Sequence, residues 1–366
     1  MSTPASAGPS PGPPSRAGLP GLDGSEARLA ASLDAAANLA FDRLGRYESA
    51  IQIAGHTIRL VFAGKSLHSQ AMRAFAHIES PAQSQVTFEI LVWDTVQSGV
   101  PMSPKAGAQI EAMLAESHQS RGSALSVTPQ GIYFYDAAIS RGYHWLPDAL
   151  NLDETNKAAP VRLALSYGLA ELGISAMHAG ALRTASGGFL LCGSSGAGKS
   201  TTSIACAQAG FEFAADDFCF VSTAKGRVLA HSVYASAKVY DHRLADLPGF
   251  ASLVTNTGAL ETEKAISFLG EGPTFKVIPR MEVNAIIVLA SKGNPAPAFR
   301  RITPVQALVG LAPSTVLLFR TGGEHLAALR SLVAKVPCFE MHLSSDIEAN
   351  PPAIESLLRS LGSRQD

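Results

Sequence analysis

The chain has 366 residues, of which 46% are hydrophobic and 16% are charged, and its formal net charge is −1. This length allows two domains of ordinary size around a buried core. The balanced charge excludes the basic surface that is typical of nucleic-acid binding, and no apolar run reaches the ~18 residues of a membrane-spanning helix. We therefore expect no nucleic-acid partner and no membrane partner.

The N-terminal stretch, residues 1–24, contains six prolines and five glycines. Such a composition buries too little apolar surface to offset the entropy of ordering, so it predicts a disordered tail. The stretch has no apolar segment like that of a signal peptide. Four cysteines occur without any CxxC pair, which favours buried, reduced thiols. We therefore expect a cytoplasmic protein.

Residues 25–150 predict a smaller α+β domain. An apolar stripe with helical spacing begins at Leu29 and continues through Leu33. Runs of β-branched and aromatic residues predict strands, and a further helical segment lies among them. The predicted strands are 49–53, 57–62, 85–93 and 132–135, and the predicted helix is 104–116.

Residues 151–366 predict an α/β domain with a mixed sheet. Strands 179–182 and 189–192 flank a polar turn and predict a hairpin, which a glycine-rich loop and a helix follow. The other predicted strands are 211–215, 285–290 and 316–319, and the predicted helices are 158–172, 200–209, 304–311, 324–333 and 352–361.

The sequence GSSGAGKS at 193–200 fits the phosphate-binding pattern G-x-x-x-x-G-K-[ST]. Its glycines permit backbone angles at which successive N–H groups point inward at phosphate oxygens. Lys199 adds a positive charge, and the Ser200 hydroxyl is placed to bind Mg²⁺. The predicted nucleotide-binding residues are Gly193, Ser194, Ser195, Gly196, Ala197, Gly198, Lys199, Ser200 and Thr201.

Two carboxylates, Asp216 and Asp217, follow the predicted strand 211–215 directly. Adjacent residues of a strand point to opposite faces, so both can address one site only where the strand ends. A bound Mg²⁺ relieves the repulsion on one carboxylate and leaves the other free to accept a proton. This division of roles suits phosphoryl transfer to a hydroxyl.

His178 precedes the hairpin, and a histidine in this apolar setting is by itself more often a core residue than a functional one. Together with Gly180, the GSSGAGKS loop and the AADD motif that ends at Asp217, however, it resembles the catalytic domain of bacterial HPr kinase/phosphorylase and the related HPr-kinase-like serine kinases. The spacings between these motifs agree with the family. The glycine loop is also similar to that of ATP-dependent phosphoenolpyruvate carboxykinase, which shares the core fold.

The resemblance, which covers about 178–221, implies a P-loop domain of the HPr kinase/phosphoenolpyruvate carboxykinase type. It implies an ATP- and Mg²⁺-dependent kinase that phosphorylates a hydroxyl, such as a serine of a protein or peptide, and a homo-oligomer. Carried over by position, Asp216 is the catalytic base, Asp217 and Ser200 bind Mg²⁺, Lys199 neutralises charge and His178 orients or polarises Asp216. The family's R-G-L-G element has no match at 226–248, so the resemblance gives no support for a phosphorylase reaction or for HPr as the acceptor.

Two other functions remain open from the sequence. One is a nucleotide-binding regulatory or scaffold module with little turnover, and the other is a small-molecule kinase. A deep pocket beside the γ-phosphate would favour the small-molecule kinase, whereas an open groove would favour a peptide acceptor.

Overall fold

The structure is a computed structural model that describes residues 24–81, 85–115, 123–261, 263–319 and 323–362. It has a mixed α/β architecture with several sheets and helices. The predicted disordered tail, apart from Gly24, lies outside the described residues.

The first part of the chain forms a seven-stranded mixed sheet in the order β3-β1-β2-β4-β7-β6-β5. Strand β4 pairs in parallel with β2 and β7, and the other pairs are antiparallel. The strands are β1 (Arg46–Ile53), β2 (His56–Ala63), β3 (Glu79–Ser80), β4 (Val86–Asp94), β5 (Ser123–Thr128), β6 (Gly131–Asp136) and β7 (Arg141–Leu146). The helices are α1 (Ser25–Leu44), α2 (Lys65–Phe75), α3 (Thr95–Ser98), α4 (Pro104–Ala115), α5 (Glu154–Lys157) and α6 (Arg162–Ala170), with a 3₁₀ turn at Ala76–Ile78.

Both faces of this sheet are buried, because alternate residues of each strand point to opposite sides. Leu60 and Phe62 of β2 lie in one core with α2 and α6. Val61, between them, lies in a second core with α1 and α4. The first core continues into Phe220 and Phe268, so the two parts of the chain share buried contacts. The domain boundary at residues 150/151 stays a prediction.

The second part of the chain contains a six-stranded sheet in the order β11-β9-β10-β17-β19-β18, a four-stranded sheet in the order β16-β13-β12-β8, and the pair β14-β15. The strands are β8 (Ser175–Met177), β9 (Gly180–Thr184), β10 (Gly187–Cys192), β11 (Glu212–Ala215), β12 (Cys219–Ala224), β13 (Arg227–His231), β14 (Ser236–Val239), β15 (Ala265–Phe268), β16 (Arg280–Glu282), β17 (Ala285–Asn294), β18 (Ala298–Ile302) and β19 (Cys338–Ser344). The helices are α7 (Lys199–Gln208), α8 (Pro248–Ala251), α9 (Pro304–Phe319), α10 (Gly323–Lys335) and α11 (Asn350–Gly362), with 3₁₀ turns at Asp241–Asp246, Thr257–Ala259, Leu269–Glu271 and Ile347–Ala349.

Most of the predicted elements are present, including the antiparallel β9–β10 hairpin. The strand predicted at 316–319 is wrong, because these residues continue α9 to Phe319. A short apolar run suits a strand or a buried helix equally, so its pattern alone does not distinguish them. The helix predicted at 158–172 is shorter and begins at Arg162. Pro160 disfavours helical backbone at the residue before it, and Val161 has a left-handed φ of 51°.

The structure also bears on what the sequence predicts about the cysteines and about membrane-spanning helices. The cysteines are free, and Cys192, Cys206, Cys219 and Cys338 are all buried, as the sequence predicts. Within the described ranges, no helix combines the length and hydropathy needed to cross a bilayer.

His144 on β7 is a buried histidine without hydrogen-bond partners. Its ring stacks on Tyr133 with 4.0 Å between centroids, and neither ring nitrogen has a partner. Burial lowers the pKa of His144 to about 3. Burial also lowers the pKa values of His77 and His231 to about 4. Protonation of these rings is therefore opposed in the folded state.

We expect this burial to make the protein sensitive to acid. Below a pH of about 6.5 the unfolded chain takes up protons that the buried histidines do not, so the free energy of unfolding falls as the pH falls. Each such group contributes at most about 1.4 kcal/mol per pH unit. His144→Phe should reduce this slope in urea unfolding measured between pH 7 and pH 5. An equal slope in the wild type and His144→Phe would contradict this expectation.

Candidate functional site

The glycine loop, residues 193–198, joins the buried strand β10 to helix α7. Strand β10 lies inside the six-stranded sheet between β9 and β17. Gly193, Gly196 and Gly198 have φ angles of 147°, 79° and 105°, which residues with a side chain rarely adopt. The structure therefore uses all three glycines of the motif for the backbone freedom that the sequence analysis assigns to them.

Lys199 is the first residue of α7, and its side chain folds back over the glycine loop. Its Nζ donates hydrogen bonds to the carbonyl oxygens of Gly193 at 2.8 Å and Ser194 at 3.2 Å. Burial lowers the pKa of Lys199, and the nearby charges of Asp217 and Asp216 act in the opposite direction. The loop thus holds a largely buried amine at its centre.

His178 and the acid pair, Asp216 and Asp217, come together through strand pairing. Met177 lies opposite Cys219 where β8 pairs with β12. Ala181 lies opposite Ala215 where β9 pairs with β11. His178 lies between β8 and β9, and the acid pair lies between β11 and β12. The two strand pairings therefore bring His178 next to the acid pair, although these residues are distant in sequence.

The hydrogen bond of His178 corrects one role implied by the resemblance. Its Nε2 lies 2.6 Å from Oδ1 of Asp217, so the histidine does not orient Asp216 through a direct bond to that residue. The reason is geometric, because consecutive residues at a strand end point in opposite directions. Asp217 turns toward His178 and a partly open surface, while Asp216 turns inward and is only 2% exposed.

Lys238 on β14 contacts both members of the acid pair. Its Nζ lies 2.9 Å from Oδ2 of Asp217, and its backbone N–H donates to Oδ2 of Asp216 at 3.1 Å. The sequence analysis missed Lys238. The available signal was one lysine in the otherwise small and apolar segment around β14, which is weak without knowledge of what that strand faces.

The surroundings drive the pKa values of the two carboxyl groups apart. Burial and the neighbouring Asp217 charge raise the pKa of Asp216 well above its usual range. Burial also opposes ionisation of Asp217, but the hydrogen bond from His178 and the charge of Lys238 outweigh it and hold the pKa of Asp217 below its usual range. Two carboxyl groups whose pKa values differ in this way suit two different roles, one as a fixed anion and the other as a proton acceptor.

A main cleft of about 540 Å³ opens in front of the glycine loop. This volume lies within the range of small-molecule sites. Of the sequence-predicted residues, the ones that line it are His178, Ser195, Gly196, Gly198, Lys199, Ser200, Thr201 and Asp217. The remaining lining residues are Thr202, Lys238, Val239, Tyr240, His242, Arg243, Lys264, Lys292, Gly293, Leu343, Ser344, Ser345, Ile347 and Asn350.

The charges along the main cleft are mostly positive. Its lining side chains include five cationic ones, at Lys199, Lys238, Arg243, Lys264 and Lys292, and the carboxylate of Asp217. Converging cations attract and hold anionic ligands. The cleft is therefore suited to a polyanion that reaches from the glycine loop toward β14.

Not every predicted site residue faces the main cleft. Gly193, Ser194 and Ala197 complete the backbone of the loop behind Lys199. Asp216 lines a smaller second cavity, which also adjoins Asp217 and Lys238.

The donor atoms at the start of α7 fit a hard cation. The Ser200 hydroxyl and the Asp217 carboxylate line the same cleft, and Mg²⁺ is usually held by one or two carboxylates together with phosphate oxygens. Among the residues that the structure describes, no group of three His, Cys, Asp or Glu side chains is arranged to hold a metal ion.

Comparison with known proteins gives no family for this chain. No protein-family model matches it, and no curated protein matches it. Among solved structures, it is similar to the Hpr(Ser) kinase/phosphatase from Coxiella burnetii, with 16% identity and a TM-score of 0.30 over 52% of this chain and 98% of that chain. A likeness at this level carries no argument, so the function proposed below rests on the geometry of the chain itself.

The packing of the glycine loop can be tested by replacing its glycines with alanine. A Cβ at Gly198 would lie 2.9 Å from Cδ1 of the buried Leu343, whereas a Cβ at Gly196 would meet no atom within 4 Å. Gly196→Ala should cost about 1–2 kcal/mol from backbone strain alone. Gly198→Ala should lower the free energy of unfolding further, because it adds this steric conflict. Equal losses in urea unfolding would show that Leu343 does not constrain the loop.

Proposed function

We propose that the protein is an ATP- and Mg²⁺-dependent kinase that transfers the γ-phosphoryl group to a hydroxyl, such as a serine of a protein or peptide. One observation carries the proposal: the glycine loop, five cationic side chains and the His178–Asp217 pair all line one cleft. A cradle of backbone amides followed by a lysine suits the β- and γ-phosphates. The Asp217 carboxylate beside that cradle can also hold a metal ion, which a site that only binds an anion does not require.

The proposed roles follow from what each side chain faces. Lys199 and the other cations of the main cleft neutralise the charge that spreads over the phosphoryl oxygens during transfer. Ser200 and Asp217 hold Mg²⁺, which when bound neutralises phosphate charge. His178 orients the Asp217 carboxylate through its hydrogen bond. Lys238 supplies the counter-charge to Asp217 when no metal is present.

Asp216 is the proposed base. Its raised pKa favours proton uptake, and its buried Oδ1 has no hydrogen-bond partner within the described part of the chain. An acceptor hydroxyl that reaches this oxygen can donate its proton to it as the oxygen attacks phosphorus. A scaffold that only binds nucleotide would not need an unpaired carboxylate oxygen at this place, because leaving it unpaired costs stability.

The cradle is tested by Lys199→Ala. We expect ATP affinity, measured by calorimetry, to fall by at least about tenfold, because charge-assisted hydrogen bonds to phosphate are lost. The matched control is Lys335→Ala on α10, which lies outside the main cleft and should bind ATP normally. Unchanged ATP affinity in Lys199→Ala would contradict the assignment of the loop.

The base is tested by Asp216→Asn. We expect ATP affinity to stay close to that of the wild type, while phosphoryl transfer from γ-labelled ATP to serine peptides falls by roughly 10²–10⁴-fold. Asp217→Asn should instead raise the Mg²⁺ concentration needed for half-maximal transfer. If the wild type binds ATP but labels no acceptor, the nucleotide-binding scaffold becomes the better explanation.

A further inference from the structure

The second cavity adjoins the main cleft at the acid pair. It encloses about 30 Å³ and is partly open to solvent. This is room for about two water-sized groups, so a larger ligand would enter it only in part. Asp217 and Lys238 line both spaces. The other lining residues that matter here are Thr155, Ala159, Arg162, Asp216, Tyr234 and Ser236. A group in this cavity is therefore next to the proposed base and next to the proposed site of the phosphates.

Two buried polar atoms on the wall of this cavity have no hydrogen-bond partner among the residues that the structure describes. They are Oδ1 of Asp216 and Nε of Arg162. Within the described ranges, Arg162 forms no ion pair with a carboxylate. Unpaired buried polar atoms are costly, and in native proteins they usually serve a ligand, a water or a reaction.

Other polar groups of the cavity are already used within the protein. The Tyr234 hydroxyl donates to the carbonyl of Pro160 at 2.8 Å. The Ser236 hydroxyl donates to the carbonyl of Ala158 at 2.7 Å. Besides the Thr155 hydroxyl, these bonds leave Oδ1 of Asp216, which can accept a hydrogen bond, and the guanidinium of Arg162, which can only donate.

This pair of unused atoms defines the chemistry of a ligand. The carboxylate oxygen requires a donor, and a hydroxyl provides one. The guanidinium is a permanent cation whose planar donors match a carboxylate or phosphate. Lys238 lines the same wall, where its Nζ is paired with Oδ2 of Asp217. A hydroxyl that has an oxyanion close to it satisfies both atoms at once.

We propose that the second cavity is the acceptor subsite, and that the acceptor carries a carboxylate or phosphate group beside its reactive hydroxyl. The inference rests on the proposed kinase function. The hydroxyl donates to Oδ1 of Asp216, and the oxyanion binds Arg162. In transfer, the acceptor O–H bond breaks and its proton goes to Asp216, while the acceptor oxygen bonds to the γ-phosphorus. The bond from that phosphorus to the bridging oxygen breaks, and ADP leaves with its electron pair.

Binding of inorganic phosphate to the nucleotide-saturated protein tests the subsite. With the main cleft filled by Mg²⁺ and a non-hydrolysable ATP analogue, we expect the wild type to bind one further phosphate in a calorimetric titration. Arg162→Gln should weaken this second binding by about 10- to 100-fold, because a charge-assisted interaction is lost. Arg359→Gln, at an exposed arginine on α11, is the matched control and should bind phosphate like the wild type.

A second variant tests the subsite without changing Arg162. Ala159→Leu adds volume to the cavity wall without changing charge, and it should also exclude the second phosphate while the ATP analogue still binds. Equal phosphate affinity in the wild type, Arg162→Gln and Ala159→Leu would overturn the subsite. Failure of the wild type to bind the ATP analogue would instead overturn the proposed function, so the two failures are distinguishable.

Phosphoryl-transfer assays distinguish a small hydroxy acid from an acidic peptide as the acceptor that carries the oxyanion. Glycerate is compared with glycerol, and a Ser-Glu peptide is compared with its Ser-Gln counterpart. We expect the wild type to favour the anionic member of at least one pair, by about tenfold or more in kcat/KM, and Arg162→Gln to lose that preference while it keeps transfer to the neutral member. A preference within the first pair identifies a small hydroxy acid, and one within the second identifies an acidic peptide. No preference in either pair contradicts the inference.

Discussion

The Asp217 carboxylate, held between His178 and Lys238, is the interaction on which the candidate site depends. His178 comes from the connection between β8 and β9, Asp217 from the connection between β11 and β12, and Lys238 from β14. The first two connections both run between the four-stranded and the six-stranded sheet, whereas β14 belongs to the separate pair β14-β15. One carboxylate thus joins three parts of the chain in front of the glycine loop and fixes where the main cleft lies.

The opposite orientation of Asp216 follows from the same constraint. Because Asp217 faces the cations, Asp216 turns into the interior, where burial and the neighbouring negative charge disfavour its ionised form. Two adjacent residues of one type therefore acquire different properties from their surroundings. Asp217 lines both the main cleft and the second cavity, whereas Asp216 lines the second cavity together with Arg162. This arrangement supplies the physical basis for proposing two substrates that meet at the acid pair.

The sequence predicted local features of the site better than its contacts. The glycine pattern predicted the backbone of the loop, because positive φ angles require residues without a Cβ, and GSSGAGKS offers them at the required spacing. The direct contact of His178 is with Asp217 and not with Asp216, because motif position does not reveal which of two adjacent carboxylates a side chain reaches. Lys238 was missed because β14, among the described residues, pairs with β15 alone, and nothing in its sequence shows that it passes the acid pair.

The sequence by itself determined most of the strands and helices and the backbone of the glycine loop, since hydrophobic periodicity and glycine placement are local properties. It did not determine that 316–319 continues a helix, because a short apolar run satisfies either a strand or a buried helix. Only the tertiary structure decided that Asp217 pairs with His178 and Lys238, that cations line the main cleft, and that Arg162 and Asp216 share a cavity. The physical reason is that these contacts arise from strand register and sheet packing, which bring together residues that are distant in the chain.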